Sequence, residues 1–304
     1  MIDVSVCICT FRRPAGILRL LRSLRALDPS SPRHEIIVVD NEATATAEPA
    51  IREARAEGLD VRYIVEPVRG IARARNRSLE SAAGEYVAFI DDDEEAAPGW
   101  LAELGREVVA AGADGGIGPV VPRFAAGVPS WMIEGGFFER PRLPTGTRLD
   151  FHQTRTGNAL IRRRSLSAVP GPFDERYDFS GGEDTDLFAR LMTRGQWFIA
   201  VDSAVVYEHV TPARTTMRWL LRRRFLGSLH AARFESLWAP QPPRRWRNVR
   251  LLTRGLAWGA LGLCLLPARR IDGVGYLARS AQQLGRAAFL TGVTFQPYRH
   301  DSWR

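Results

Sequence analysis

Two acidic clusters in the 304-residue chain have residue types suited to chemistry at phosphates and hydroxyls. In YVAFIDDDEEA (86–96), five residues suited to a buried strand run directly into five consecutive acids, residues 91–95. In FSGGEDTDLFARLMTRG (179–195), Glu183, Asp184 and Asp186 crowd the start of a helical pattern behind Gly181 and Gly182. Adjacent carboxylates repel one another, and a bound divalent cation relieves that repulsion. Magnesium or manganese prefers oxygen ligands and is held by one or two carboxylates together with phosphates. A carboxylate at the second cluster could take a proton from an incoming hydroxyl. The glycine pair leaves room there for a ligand to approach the backbone. Each cluster also has a plainer reading, as acids favoured at a helix N-terminus: 91–95 before a helix near 98–112, and 183–186 at the start of their own. The sequence has no GxxxxGK[ST], and no GxGxxG follows the first strand. Bound phosphates would therefore be held through the metal and not by a glycine cradle.

The elements that must position these acids alternate. DVSVCICT (3–10), EIIVVD (35–40), VRYIVE (61–66) and YVAFID (86–91) are short apolar runs rich in β-branched residues. Between them, PAGILRLLRSLRAL (14–27) sets Ile17, Leu20, Leu21 and Leu24 on one helical face, with Pro14 suited to a first turn. AEPAIREARAEG (47–58) and GIARARNRSLESAAG (70–84) are the next helical stretches. Strands alternating with helices imply an α/β fold with a parallel sheet covered on both faces. Ligands of such folds gather at the carboxyl ends of the strands, where Thr10, Asp40 and residues 91–93 all fall.

Composition bounds the alternatives. A hydrophobic share of 45% excludes a disordered chain and gives no sign of a multispan membrane protein. The length suits one large domain or two modest ones. Cys7, Cys9 and Cys264 form no spaced framework and are expected to be buried, reduced thiols of a cytosolic protein. The start MIDVSVCICT lacks the basic and apolar pattern of a signal peptide, so the protein is expected inside the cell. The net charge of +8 hides a division: residues 211–304 carry +14 and residues 1–210 carry −6, with every basic residue an arginine. QPPRRWRNVR (241–250) mixes basic and aromatic residues, but no nucleic-acid-binding signature accompanies it, and no nucleic-acid partner is expected.

The order VCICTFRRP, IIVVDNEA, RGIARARNRSL, YVAFIDDDEEA, TGNALIRR and GGEDTDLFARL resembles bacterial family 2 glycosyltransferases of the GT-A fold, in particular those of exopolysaccharide and succinoglycan assembly. The resemblance covers about residues 1–210 and implies a Rossmann-like, mostly parallel sheet. It also implies an inverting, metal-dependent transfer from a nucleoside diphosphate sugar to a carbohydrate or lipid-linked saccharide acceptor. By the same resemblance, Thr10, Phe11 and Arg12 contact the nucleotide and Asp40 the base. Arg75 and Asn76 line the nucleotide pocket, and Arg69 and Arg73 help to neutralise the diphosphate. Asp91 and Asp93 map to the metal-binding D-x-D, with Asp92 leaving the register open by one, and Asp91 and Asp92 are also placed among the residues that bind the nucleotide sugar. Asp184 maps to the catalytic base, with Glu183 beside it, and Gly157, Asn158 and Gly182 to the acceptor side. His209 is read either as a further metal ligand or as a structural histidine. The implied cofactor is Mn2+ or Mg2+. Residues 120–156, with Trp131, Phe137 and Phe138, are expected to shape the acceptor side.

The division of charge sets the expected domains: a glycosyltransferase domain over 1–210 and a helical, arginine-rich, membrane-associating region over 211–304. TTMRWLLRRRFLGSLHAARF (215–234) reads as a helix, and GLAWGALGLCLLP (255–267) is an uncharged run of 13 residues bordered by arginines. A spanning helix needs about 20 apolar residues, so this run is too short to cross. It suits either a buried helix or an interfacial one with arginines reaching anionic headgroups. The second reading places the protein peripherally on the inner face of the cell membrane.

Overall fold

The computed structural model describes residues 4–238 and 246–291. The first five residues of the 241–250 segment, and residues 1–3 of the start, lie outside the described residues. The chain divides into two compact units, residues 1–121 with 140–209, and residues 122–139 with 210–304.

In the first unit, strands and helices alternate as the apolar periods require. The run begins β1 (Val4–Thr10), α1 (Pro14–Arg25), β2 (His34–Asp40), α2 (Glu48–Ala56), β3 (Val61–Val65), α3 (Ile71–Ser81) and β4 (Tyr86–Phe89). It continues with β5 (Glu94–Ala96), α4 (Trp100–Ala111), β6 (Gly115–Ile117) and β7 (Val120–Phe124), whose last residues, with α5 (Ser130–Glu134), belong to the second unit. The chain returns through β8 (Ala159–Arg162), α6 (Arg163–Ser167), α7 (Glu183–Thr193), β9 (Phe198–Ala200) and β10 (Val206–Val210). The seven-stranded sheet has the order β3-β2-β1-β4-β8-β6-β9. It is parallel except for β8, which runs antiparallel to both β4 and β6.

Both faces are covered, as the alternation implies. Ile8, Val6, Ile17, Leu21, Ile51, Trp100 and Leu104 form one core, contributed by α1, α2 and α4. Cys7, Ile37, Val87, Phe89, Leu187, Phe188 and Leu191 form the other, beneath α3 and α7. Period-two alternation along β1 sends successive residues to opposite cores. Cys7 is buried, and burial pushes its thiol up to about 12. Cys264, expected inside, is exposed, because the helix that carries it turns that face outward.

A second difference concerns the acids. Glu94–Ala96 do not cap a helix. They form β5, antiparallel to β10, with Glu94 opposite Glu208 and Glu95 opposite Tyr207. The helix that follows starts at Trp100 behind Gly99, and Glu103 is the one acid of its first turn. Strand pairing across about a hundred residues overrides the local preference of acids for a helix start.

The second unit contains α8 (Met217–Trp238), α9 (Arg247–Leu265) and α10 (Arg270–Leu290). Glycines bring the helices close. A Cβ on Gly285 would lie 2.1 Å from the Phe225 carbonyl oxygen, and one on Gly262 would lie 2.8 Å from Leu277. Met132, Leu220 and Val274 make a small core, with Phe138 stacked on Trp219 at 5.5 Å and Arg270 over Trp131 at 4.6 Å. Among the described residues, no helix is long and apolar enough to cross a membrane.

Candidate active site

The carboxyl ends of β1, β2 and β4 bring Thr10, Asp40 and residues 91–93 to one edge of the sheet. Asp92 turns inward. It accepts hydrogen bonds from Thr10 Oγ1 at 2.8 Å and Arg13 Nη1 at 2.8 Å, and the same arginine nitrogen reaches Asp93 at 3.0 Å. Thr10 and Asp92, mapped to the nucleotide, are both buried and lie beneath the site's surface, each holding the other. Asp91 and Asp93 remain accessible, with side chains 48% and 20% exposed. Asp91 nevertheless sits in a recess, and burial, with Asp93 and Asp92 adding repulsion, raises its pKa to about 6 against the pull of Arg75.

Asp40 is enclosed. Tyr63 Oη and the Ala47 amide each donate to its Oδ2 at 2.8 Å, and the Glu42 amide donates to Oδ1 at 3.2 Å. Asp40 is wholly buried, and these bonds close the turn after β2. What the edge does expose is Phe11, with the Arg12 and Arg69 guanidiniums 5.0 and 4.6 Å from its ring centre. Arg12 also pairs with Glu42 and holds a φ of +53°, a conformation uncommon outside glycine and frequent at functional sites.

The second acidic cluster reaches the first through α3. Arg75 is buried in an ion pair with Glu183, and its Nη2 lies 3.5 Å from Asp91 Oδ1. Burial works against the Arg75 charge, but Glu183, then Asp91 and Asp184, outweigh it and push its pKa up. One guanidinium cannot neutralise three carboxylates. Burial pushes Glu183 up to about 7, against Arg75 and with Asp184 adding repulsion. Glu183 is thus a buried anchor, and Asp184 is the member of the pair that stays partly exposed. Asp184 Oδ1 accepts a hydrogen bond of 2.7 Å from the amide of its own neighbour Thr185. Gly182 enters α7 with φ +93°, left-handed backbone that glycine takes without strain.

Other mapped residues are held by structure. Asn76 is committed to the Phe173 backbone, donating at 2.7 Å and accepting at 2.9 Å, and so anchors α3 to the segment before α7. Arg73 pairs with Glu175 and lies 3.8 Å from Asp178. Asn158 is wholly buried. Its amide donates to the Pro119 and Ala204 carbonyls, and its carbonyl accepts from Trp100 Nε1 at 2.8 Å, which fixes the approach to β8. Gly157 does border the acids: a Cβ there would lie 2.8 Å from Asp91 Oδ2 and 3.1 Å from Glu94 Oε1. His209 donates its amide to Asp93 at 2.8 Å, but its imidazole Nε2 meets Glu95 Oε1 at 2.5 Å. The imidazole is held by Glu95, the neighbour of Asp93 in sequence.

Among the described residues, no three His, Cys, Asp or Glu side chains are arranged as a metal site. The donors nonetheless fit a hard divalent cation completed by phosphate. Two accessible carboxylates stand two residues apart, and the missing Cβ of Gly157 leaves space against one of them. Sequence reasoning missed Arg13, which ties down Asp92 and Asp93. Its signal was the second arginine of FRRP, directly before the helix that begins at Pro14.

Comparison with known proteins shows the family and the fold. Residues 5–169 match the family model Glycosyl transferase family 2. The chain is 34% identical over 226 residues to the succinoglycan biosynthesis protein ExoM of Rhizobium meliloti, covering 74% of this chain and 72% of that protein. It is 28% identical to a pre-mycofactocin glycosyltransferase of Mycobacterium tuberculosis, over 74% of this chain and 46% of the relative. Among solved structures, the mannosyltransferase PcManGT of Pyrobaculum calidifontis, in complex with GDP-Man and Mn2+, superposes with a TM-score of 0.63 at 18% identity, covering 96% of this chain and 88% of that one. TarS 1–349 of S. aureus with UDP-GlcNAc gives 0.56 at 16% identity, covering 97% and 93%. The chain belongs to glycosyl transferase family 2 and has the GT-A fold of these enzymes.

Proposed function

We propose that the chain transfers a sugar from a nucleoside diphosphate sugar to a hydroxyl of a saccharide acceptor, with inversion at the anomeric carbon, in the assembly of a surface polysaccharide. One observation carries this reading. Of the two acids opening α7, Glu183 is locked to Arg75, whereas Asp184 stays accessible in the electrostatic neighbourhood of Asp91. Asp184 would accept the proton of the acceptor hydroxyl as that oxygen attacks the face opposite the leaving group. No covalent sugar–enzyme intermediate is needed. Asp91 and Asp93 would hold Mn2+ or Mg2+, which when bound supplies Lewis-acid stabilisation of charge on the leaving diphosphate. Arg75 keeps Asp91 and Glu183 in register, and the Phe11, Arg12 and Arg69 edge suits the nucleotide side of the donor, a ring face with two cations. The succinoglycan relative supports polysaccharide assembly as the setting.

The acceptor in this reading is lipid-linked, and the arginine-rich second unit holds the protein on the inner membrane face. Support comes from α9, which exposes Val249, Leu252, Leu256 and Leu263 while its Gly255 and Gly262 are buried. Purified protein with manganese and a panel of nucleotide sugars tests the reaction: slow release of nucleoside diphosphate is expected. Pyrophosphate release from nucleoside triphosphates would instead mark a nucleotidyltransferase. Silence with every donor, unaltered by Asp93→Ala, would mark a non-catalytic sugar- or membrane-binding module.

A further inference from the structure

The loop before β8 carries Arg155, Thr156 and Gly157 to the acidic site, with Gly157 against Asp91 and Glu94. Arg155 is only partly exposed, and its Nε is shielded from solvent with no hydrogen-bond acceptor. Thr156 Oγ1, one residue on, is also shielded and without a partner. Charged groups surround Arg155: Glu94, Asp184 and Glu208 lie within its electrostatic reach, as does Arg140. Yet among the described residues no carboxylate forms an ion pair with it.

The nearby arginine has a different situation. The β5–β10 register sets Glu94 directly opposite Glu208, a repulsive arrangement, and Arg140 answers it from 3.6 Å. Glu94 is already engaged, accepting a hydrogen bond of 2.9 Å from the Asp91 amide. Burial and then Arg140 lower Arg155 to about 10, which leaves it charged at neutral pH. A shielded guanidinium nitrogen lacking an acceptor is costly unless something else supplies one. None of its charged neighbours belongs to the Phe11 edge, and one of them is Asp184.

We propose that Arg155, with Arg140 beside it, is a cationic subsite for an oxyanion carried by the acceptor saccharide, a sugar carboxylate or a phosphate, seated next to Asp184. The inference rests on the reading of Asp184 as the base. It deepens that reading by giving the acceptor a chemical class: an acidic saccharide or a saccharide phosphate.

The test uses the full-length protein and three acceptors matched in all but charge: a neutral alkyl glycoside, the corresponding uronate glycoside and the corresponding glycosyl phosphate. The readout is kcat/KM for each acceptor in wild type, Arg155→Gln and Arg155→Lys, with circular dichroism to check folding. Wild type should prefer one of the anionic acceptors over the neutral one by about tenfold to a hundredfold, the range of a charge-assisted contact. The preferred acceptor tells carboxylate from phosphate. Arg155→Gln should collapse the preference and Arg155→Lys should restore part of it. A wild type indifferent to acceptor charge, or a preference unchanged in Arg155→Gln, overturns the proposal. So does a rise in donor KM alone, which would assign the cation to the donor. If no acceptor is glycosylated with any donor, the transferase reading itself is in question, and calorimetric titration with the uronate glycoside, the glycosyl phosphate and the neutral glycoside decides the subsite. Binding of an anionic glycoside that depends on Arg155 supports it, and none overturns it.

Discussion

Arg75 is buried against Glu183 and lies 3.5 Å from Asp91, with Asp184 also in its field. Removing it leaves carboxylates in a protein interior without a cation. Breaking such a pair from one side commonly costs about 3–5 kcal/mol. Arg75→Met should lower the denaturation midpoint accordingly, and a loss below about 1 kcal/mol would mean the pair is not buried as described. The shortage of positive charge also fixes a pH response. Glu183 binds its proton more tightly when folded, at about 7 against an ordinary 4.5. Its contribution to stability is therefore complete below the unfolded value and is lost as pH rises toward 7. Glu183→Gln, neutral throughout, should flatten the decline in melting temperature between those values. A wild-type curve that rises across the same interval and is copied by the variant would contradict the assignment.

At the scale of elements, the two acidic clusters work together because α3 supplies Arg75 between β4 and α7, and because the chain before β8 passes close to Asp91. Gly157→Ala puts a methyl group 2.8 Å from Asp91 Oδ2, which must then move. Manganese affinity, followed by titration, should fall about tenfold or more, as for other changes just behind a metal ligand, with the fold intact. Unchanged affinity would place the cation elsewhere. Much of this scaffold was legible in the sequence. The apolar runs of β1, β2 and β4 and the 3.6-residue period of α1 are local signals, and each appears where its pattern puts it. The acids at the end of β4 and the start of α7 were legible as clusters for the same reason. Partnerships across long separations were not. Glu94–Ala96 look like a turn until β10 pairs with them, and nothing in TGNALIRR announces the bonds of Asn158 to Trp100 and the Ala204 carbonyl. Asp40 likewise looks available until Tyr63 closes over it.

For the molecule as a whole, the charge division and the outward apolar residues of α9 point the same way. Arg254, Arg269 and Arg270 are exposed around a helix that turns Leu256 and Leu263, 68% and 62% exposed, to the outside. Each basic residue near an anionic surface contributes roughly 1 kcal/mol, and the leucines add an apolar component. The full chain should co-sediment with vesicles containing anionic lipid and be released by high salt. Replacing both Leu256 and Leu263 by Asp should weaken that binding by about tenfold or more while leaving helix content unchanged. Binding indifferent to salt and lipid charge would contradict the electrostatic account, and resistance to alkaline extraction would indicate insertion.

The claim that Asp184 is the base, while its neighbour Glu183 is an anchor, is tested most directly by turnover of Asp184→Asn with a donor that wild type uses, beside calorimetric binding of the same donor. Asp184→Asn should bind donor as wild type does and turn over about a hundredfold more slowly or worse, the usual worth of a general base. Near-normal transfer by Asp184→Asn would contradict the assignment.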